Sequence, residues 1–169
     1  QYGYAMAVQP DGKILVAGAS MYHAGPNGWD WVIARFESEG VLDAEFGTAG
    51  VIKTHFYSGP GGFPAYGSLE QARAIAVQSD GKIVVAGWGQ NLTTPTTLTA
   101  YTAVLRFNAD GSADTTFGSG GEFILANSPS PAVLTAMRIQ PADGKIVIVS
   151  SNASVGSTVM RLKANGAVD

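Results

Sequence analysis

Short runs of apolar residues, separated by polar turns that contain glycine, recur along the whole chain, as in ILVAG from Ile14 and IVVAG from Ile83. These runs are apolar at every position, which indicates strands that are covered on both faces. Their shortness and their content of Val and Ile favour β-strands over helices. The pattern therefore predicts an all-β protein in which sheets pack face to face.

Two sequence segments occur three times, in the same order each time. The first begins at Gln9, Gln78 and Gln140 and reads QPDGKILVAG, QSDGKIVVAG and QPADGKIVIVS. The second follows it and reads IARFESEGVLDAEFG, VLRFNADGSADTTFG and VMRLKANGAVD. Repetition of this kind indicates a tandem array of one supersecondary unit.

The first repeated segment is typical of a β-hairpin with a three-residue turn, in which the last residue is a glycine with positive φ. The third copy inserts Ala142, so we expect a longer turn of a related type there. Because the turn residues recur in every copy, we assign them a structural role. They are Asp11, Gly12, Asp80, Gly81, Asp143 and Gly144.

The second repeated segment supplies two further strands, which makes four strands per unit. Four-stranded antiparallel units in tandem, buried on both faces, predict the blades of a β-propeller. We expect one repeat domain over residues 1–169, with blades at approximately 1–57, 70–127 and 133–169, the last of them incomplete. Three blades are fewer than the four to eight of a closed ring. Either further repeats of the parent chain complete the ring, or a homodimer joins two half-rings into six blades.

The repeated segments resemble the delta-60 repeats of bacterial exported proteins, whose pattern is similar to Q-x-D-G-K-I-x-x-x-G followed by R-F/L-x-x-x-G-x-x-D-x-x-F-G. The resemblance covers nearly the whole chain, although copy three has Ser150 where the others have Gly18 and Gly87. It implies a β-propeller in a secreted or surface-exposed bacterial protein. Since the first residue is Gln1, we also expect the chain to be a fragment of a longer protein.

Composition excludes several classes of partner and chemistry. With ten Lys and Arg residues and a net charge of -3, the chain lacks the basic clusters that bind nucleic acid. Its apolar runs are too short for membrane insertion. The absence of cysteine removes disulfides, thiolate metal ligands and cysteine nucleophiles. No spacing of acidic or histidine residues indicates a metal site, and we expect no cofactor.

Repetition also separates structural residues from residues that are free to function. The arginines of the second segment recur, and we expect them to pair with loop acids or with backbone carbonyls between blades. The turns that recur define one end of the blades, the repeated rim. The loops at the other end differ between copies and define the variable rim, at residues 19–29, 57–71, 88–101 and 127–134. Functional loops are often placed in this way on a rigid scaffold.

The variable rim carries aromatic residues that the other copies do not match. Such rings can stack on sugars or anchor a protein partner, although they can also simply cap the blades. Trp31 and Tyr101 lie in or next to strands, so we expect them in the core. The candidate binding residues are Tyr22, His23, Trp29, Tyr57, Phe63, Tyr66 and Trp88.

Two functional hypotheses follow. The leading one is a non-catalytic scaffold or binding module that binds a protein or a carbohydrate ligand through the variable rim, and it assigns no catalytic residue. The rival is a hydrolase or lyase with a site near His23, assisted by Arg73 and Arg138 in a central channel. A catalytic triad requires a base that is oriented by an acid and faces a hydroxyl, and the sequence does not specify such a meeting.

Overall fold

The structure, a computed structural model, describes residues 1–21, 28–54, 68–94, 97–128, 133–152 and 156–169. Within these ranges all regular secondary structure is β-strand, and no helix occurs. The strands are β1 (Tyr2–Val8), β2 (Ile14–Met21), β3 (Trp29–Phe36), β4 (Val51–Thr54), β5 (Ser68–Val77), β6 (Ile83–Thr94), β7 (Thr97–Phe107), β8 (Glu122–Ser128), β9 (Val133–Ile139), β10 (Ile146–Asn152) and β11 (Gly156–Leu162).

The strands form three antiparallel meanders that follow the sequence order. Blade 1 contains β1 to β4, blade 2 contains β5 to β8, and blade 3 contains β9 to β11. One parallel bridge between Trp29 and Leu69 joins the first two blades. The prediction of an all-β, partial propeller of antiparallel blades is thus confirmed, and the described sheets do not close into a ring.

Two apolar layers hold the three blades together. On β6, Ile83 and Val85 pack into the layer with blade 1, whereas Val84 and Ala86 pack into the layer with blade 3. This alternation follows from the two-residue period of a strand, and it explains why the run is apolar throughout. In β2 the outer-facing Val16 stays half-buried, because the described residues place a neighbouring blade on only one side of blade 1.

The repeated turns close the first hairpin of each blade in the same way. The amide of Gln9 donates to the carbonyl of Lys13 over 2.8 Å, and Gly12 has a φ of 89°. The carboxylate of Asp11 accepts a hydrogen bond from the amide of Lys13, which stabilises the turn. In blade 3 the equivalent pair is Gln140 and Lys145, so the turn is one residue longer.

The glycine that ends the first repeated segment is required by a close approach of two strands. A Cβ atom at Gly18 would lie 1.7 Å from the carbonyl oxygen of Tyr2, and one at Gly87 would lie 2.1 Å from that of Gln71. At these points the innermost strand has a shift in register, which is typical of a β-bulge. In blade 3 the same position holds Ser150, which is buried.

A set of charged side chains, here called the arginine clamp, links the strands of blade 1. Arg35 Nε donates to Asp43 Oδ2 over 2.7 Å, and Lys13 Nζ donates to the same oxygen over 2.8 Å. The Arg35 guanidinium also lies over the Phe46 ring, 4.5 Å from its centroid, and its Nη1 donates to the carbonyl of Ala109 in blade 2. The clamp therefore joins two blades as well as stabilising one.

Blade 2 repeats the clamp. Arg106 Nε and Lys82 Nζ both donate to Asp114 Oδ2, over 2.8 and 2.7 Å, and the guanidinium lies over Phe117. Arg106 Nη1 donates to the carbonyl of Ala164 in blade 3 over 2.7 Å. The two contacts predicted for these arginines, to a loop acid and to a carbonyl between blades, therefore occur together.

The clamps lower the pKa of their carboxyl groups. The hydrogen bond from Lys13 lowers the pKa of Asp43 to about 2, with Arg35 acting in the same direction against the effect of burial. Hydrogen bonds from Lys82 and Thr116 lower the pKa of Asp114 further still. Both carboxylates are therefore charged at neutral pH in the folded protein.

We predict that acid weakens the fold through these groups. A carboxyl with a lowered pKa in the folded state stabilises the fold above its unfolded value, 3.8, and loses that contribution as the pH falls towards about 2. Replacement Asp43→Asn should lower the free energy of unfolding at pH 7 and flatten its dependence on pH between 4 and 2. Urea unfolding at several pH values measures both effects. Glu45→Gln controls for the loss of one charge, and an unchanged slope in Asp43→Asn would contradict the prediction.

We also predict that Gly87→Ala is strongly destabilising, whereas Ser150→Ala is tolerated. The new Cβ at residue 87 would overlap the backbone of Gln71 and the ring of Trp31. Overpacking of this kind costs about 1–3 kcal/mol or more, whereas the position in blade 3 already holds a side chain. Urea midpoints of the two variants measure the difference, and equal losses would show that the two inner strands do not approach as described.

Candidate functional site

The variable rim is only partly covered by the described residues. Five of its candidate binding residues lie outside them, and they are Tyr22, His23, Tyr57, Phe63 and Tyr66. The two remaining candidates, Trp29 and Trp88, are described. Trp29 is the first residue of β3, whereas Trp88 lies near the middle of β6.

Three aromatic rings form a continuous surface that starts at the variable rim, here called the aromatic platform. Tyr2 lies 5.3 Å from Trp29 between ring centroids, at an angle of 37°, and 6.3 Å from Tyr4, at an angle of 10°. The guanidinium of Arg73, in the neighbouring blade, lies over the Tyr4 ring at 4.2 Å. Tyr2 is 57% exposed and Tyr4 is 37% exposed, so the platform faces solvent in the described part of the chain.

Trp29 was among the residues predicted for this site, whereas Tyr2 and Tyr4 were not. The signal was present, because the equivalent positions are Gln71 and Arg73 in copy two, which makes both tyrosines unmatched aromatics. Their place in an innermost strand, away from the loops, concealed them. A variable rim defined by its loops alone therefore leaves out these two tyrosines of the innermost strand.

A group of buried polar side chains lies in the strands that lead to the variable rim. Glu70 is fully buried, and the Tyr101 hydroxyl donates to its Oε1 over 2.7 Å. Asp30 and Thr102 are also buried. Burial, followed by the charge of Glu70, raises the pKa of Tyr101, so the phenol stays protonated and remains a hydrogen-bond donor.

A second glycine in β6 lets Tyr101 reach Glu70. Gly89 pairs with Tyr101 in register, and a Cβ atom on Gly89 would lie 2.3 Å from the phenol oxygen. The ring therefore covers the backbone of β6 at this point, and its hydroxyl meets the carboxylate on β5. The equivalent residue in copy one is Ser20, so this arrangement is particular to blade 2.

Trp31 and Tyr101 are buried, as predicted, and belong to the layer between blades 1 and 2. Trp88 is half-buried and lies on the same face of β6 as Val84 and Ala86, the face directed at blade 3. Its indole Nε1 is buried and finds no hydrogen-bond partner among the described residues. Trp88 is therefore separated from the aromatic platform by the thickness of blade 2.

The arginines proposed for a central channel have other contacts. Arg73 lies over Tyr4, as described above, and Arg138 Nη1 donates to the backbone carbonyl of Met137. His23, the residue that the enzyme hypothesis required, lies outside the described residues. Among the residues that are described, no three His, Asp or Glu side chains come together in a way that could hold a metal ion.

A cavity of about 650 Å³ opens at the repeated rim, between turns of all three blades. Its polar lining includes Arg106 and Gln78, whose side chains lie 3.4 Å apart between Nη1 and Oε1. Gln140 also lines it, and its Oε1 is buried without a partner in the described part of the chain. The sequence pattern indicated binding at the opposite rim and did not indicate this cavity, because most of the lining residues repeat between copies and repetition indicates a structural role.

The three repeats match the profile of a known protein family. The profile of a family described as a domain of unknown function (DUF5122) β-propeller matches residues 9–46, 78–117 and 142–169. The three matches coincide with the three copies of the repeat, and together they cover more than half of the chain. No curated protein sequence matches the chain. In the described residues, no helix is long and apolar enough to cross a membrane.

We predict that the hydrogen bond between Tyr101 and Glu70 stabilises the rim of blade 2. Tyr101→Phe removes the donor from a fully buried carboxylate, which should lower the free energy of unfolding by about 1–3 kcal/mol. Urea unfolding measures the change. Tyr4→Phe, at a partly exposed ring, is the matched control and should cost less than about 0.5 kcal/mol. Equal losses in the two variants would contradict the role of the buried hydroxyl.

Proposed function

The chain belongs to the DUF5122 β-propeller family, and from this premise we propose that it is a non-catalytic binding module of a secreted or surface-exposed bacterial protein. Its variable rim binds a protein or a carbohydrate ligand, and its repeated rim holds the blades together. The observation that carries the proposal is the aromatic platform of Tyr2, Tyr4 and Trp29 on a rigid sheet. The location rests on the resemblance to the delta-60 repeats of exported proteins.

The scaffold part of the proposal is supported by the contacts of the repeated residues. Arg35, Asp43 and Lys13 satisfy one another, and their counterparts in blade 2 do the same. A residue that is held in such a network and repeated in each blade serves the fold. The repeated acidic and basic side chains are therefore engaged in structural ion pairs, which does not favour a catalytic role for them.

The binding part is supported by the rigidity and exposure of the platform. Tyr2 and Tyr4 are both on β1, which pairs with β2 on both sides of the bulge at Tyr4, so the backbone that carries the rings is held in place before binding. Arg73 further restrains Tyr4 from the neighbouring blade. Flat, pre-organised aromatic faces suit the apolar faces of sugar rings and the anchor residues of protein partners alike.

We predict that Tyr2→Ala and Trp29→Ala each weaken ligand binding roughly tenfold, because either change breaks the stack that presents the platform. Binding of the full chain to an array of immobilised oligosaccharides and to an array of immobilised extracellular proteins measures the effect and separates the two ligand classes.

Val41→Ala is the control for this experiment, since Val41 is an exposed apolar residue on the repeated rim. It should bind as the unchanged chain does. Circular dichroism establishes that each variant keeps its strands. If a ligand bound the unchanged chain and both platform variants equally, the aromatic platform would not be its binding surface. Detection of substrate turnover by the chain would overturn the non-catalytic assignment.

A further inference from the structure

The innermost strand of each blade contains a bulge at the same position, and the bulged residue differs between blades. The register of β1 with β2, of β5 with β6 and of β9 with β10 shifts around one residue, which is Tyr4, Arg73 and Thr135 respectively. A bulge re-aims the side chain of its extra residue. The repeated fold therefore provides one equivalent position in each blade at which the chain places a different side chain.

Arg73 differs from the arginines of the two clamps in having no acidic partner. Among the described residues, no carboxylate forms an ion pair with Arg73, whereas Arg35 and Arg106 each bind one, at 2.7 and 2.8 Å. Arg73 is half-buried, and its Nε is buried without an acceptor in the described part of the chain. Its charge is therefore not balanced within the described chain, and its guanidinium retains N–H donors for a ligand.

Two carboxylates at the junction of blades 1 and 2 are directed elsewhere. Glu70 is fully buried and accepts a hydrogen bond from the Tyr101 hydroxyl over 2.7 Å. Asp30 is 3% exposed. Neither forms an ion pair with Arg73. An anion that reaches Arg73 from solvent therefore displaces no carboxylate of the described chain.

Arg73 extends the aromatic platform into a row of four side chains that crosses from blade 1 to blade 2. Their order is Trp29, Tyr2, Tyr4 and Arg73, with successive distances of 5.3, 6.3 and 4.2 Å between ring centroids and, for the last contact, between the guanidinium carbon and a centroid. The contact with Tyr4 holds the guanidinium in place. A row of flat rings that ends in a cation suits an extended molecule with ring faces and an anionic group.

The row belongs to the junction between blades 1 and 2. Tyr2 pairs in register with Ala19, and Ala19 pairs with Trp31. Residues that are paired across strands share a face of the sheet, and Trp31 lies in the layer between these two blades. Trp29, two residues before Trp31, lies on the same face. Contacts between two blades of the described chain therefore determine the position of the row.

We propose that this row binds an acidic oligosaccharide, a chain of sugar rings that carry carboxylate groups, as uronic acids do. The inference rests on the proposed function, because it names the ligand class of the aromatic platform. The apolar faces of the sugar rings pack on Tyr2 and Trp29, and a carboxylate accepts two parallel hydrogen bonds from the Arg73 guanidinium. Since the net charge of the chain is -3, recognition of an anion depends on this local cation.

The shape of the row favours a sugar chain over an acidic peptide. The anchor side chains of protein partners bind most tightly in closed, desolvated pockets. Tyr2 and Tyr4 are instead nearly parallel, at 10°, and are 57% and 37% exposed. They present a flat and open surface, which matches the flat faces of successive sugar rings.

Calorimetric titration of the full chain with two oligosaccharides, oligogalacturonate and oligomannuronate, tests the proposal. At least one should bind, and its methyl ester, which keeps the sugar rings but lacks the charge, should bind roughly ten- to a hundredfold more weakly. Added salt should weaken binding of the free acid more than binding of the ester. Absence of binding by both acids, or equal affinity for acid and ester, would overturn the proposal. A poly-glutamate peptide that binds as tightly as the acids would also overturn it.

Substitution of Arg73 identifies the cation. Arg73→Gln should reduce the affinity for the free acid roughly ten- to a hundredfold and leave the affinity for the ester unchanged. Arg73→Lys should recover only part of the loss, because an ammonium keeps the charge but not the paired donors. Lys163→Gln is the control, since it removes one positive charge from an exposed residue at the repeated rim and should bind as the unchanged chain does. Circular dichroism establishes that each variant keeps its strands.

Tyr2→Ala separates failure of this inference from failure of the proposed function. If Tyr2→Ala weakens binding of a ligand that Arg73→Gln binds normally, the aromatic platform is a binding surface and the acidic ligand class is wrong. If neither substitution changes the binding of any ligand of the chain, both proposals are wrong. Loss of acid binding in both variants, with ester binding reduced only in Tyr2→Ala, is the result that we expect.

Discussion

Adjacent sheets in this protein bury each other's apolar faces, and an arginine at the edge of each layer crosses from one sheet to the next. No blade has a separate interior, because the side chains that alternate along β6 belong to two different layers. Burial of both faces is the main favourable contribution to the fold of such an array. Arg35 and Arg106 then set the position of each blade relative to its neighbour, since each holds its own carboxylate and a carbonyl of the next blade.

The repeated motif is explained by these contacts. Lysine of the Asp-Gly-Lys turn and the arginine of the second segment converge on one aspartate, which places the turn against the third strand. The phenylalanine of the Phe-Gly pair lies beneath the guanidinium of its own blade. The turn of the second repeated segment in the following blade has a glycine at Gly111 or Gly166, which leaves room for the edge of that phenylalanine ring. Gly18 and Gly87 leave room for the bulge of the innermost strand. These repeated residues therefore serve contacts within a blade or between blades.

The residues that do not repeat collect at the other end of the blades. Tyr2 and Tyr4 form an exposed stack there, with the half-buried Trp29 tilted against Tyr2. Glu70 and Tyr101 form a buried pair in the adjoining layer. Both arrangements depend on contacts between strands that are distant in sequence, and both are particular to one blade. A scaffold with this division of residues can keep its fold while its binding surface changes.

The sequence by itself determined the strands, the blades and the core. Two-residue alternation and local turn chemistry act over a few residues, so the hairpin at Asp11 and Gly12 and the burial of Trp31 and Tyr101 could be predicted. Because the four-stranded unit occurs in tandem, the sequence also predicted the blades of a β-propeller. The tertiary structure alone decided which of these residues meet. Tyr4 contacts Arg73 because a bulge and a blade junction bring two inner strands together. Such contacts depend on the relative position of whole sheets, which no local pattern specifies.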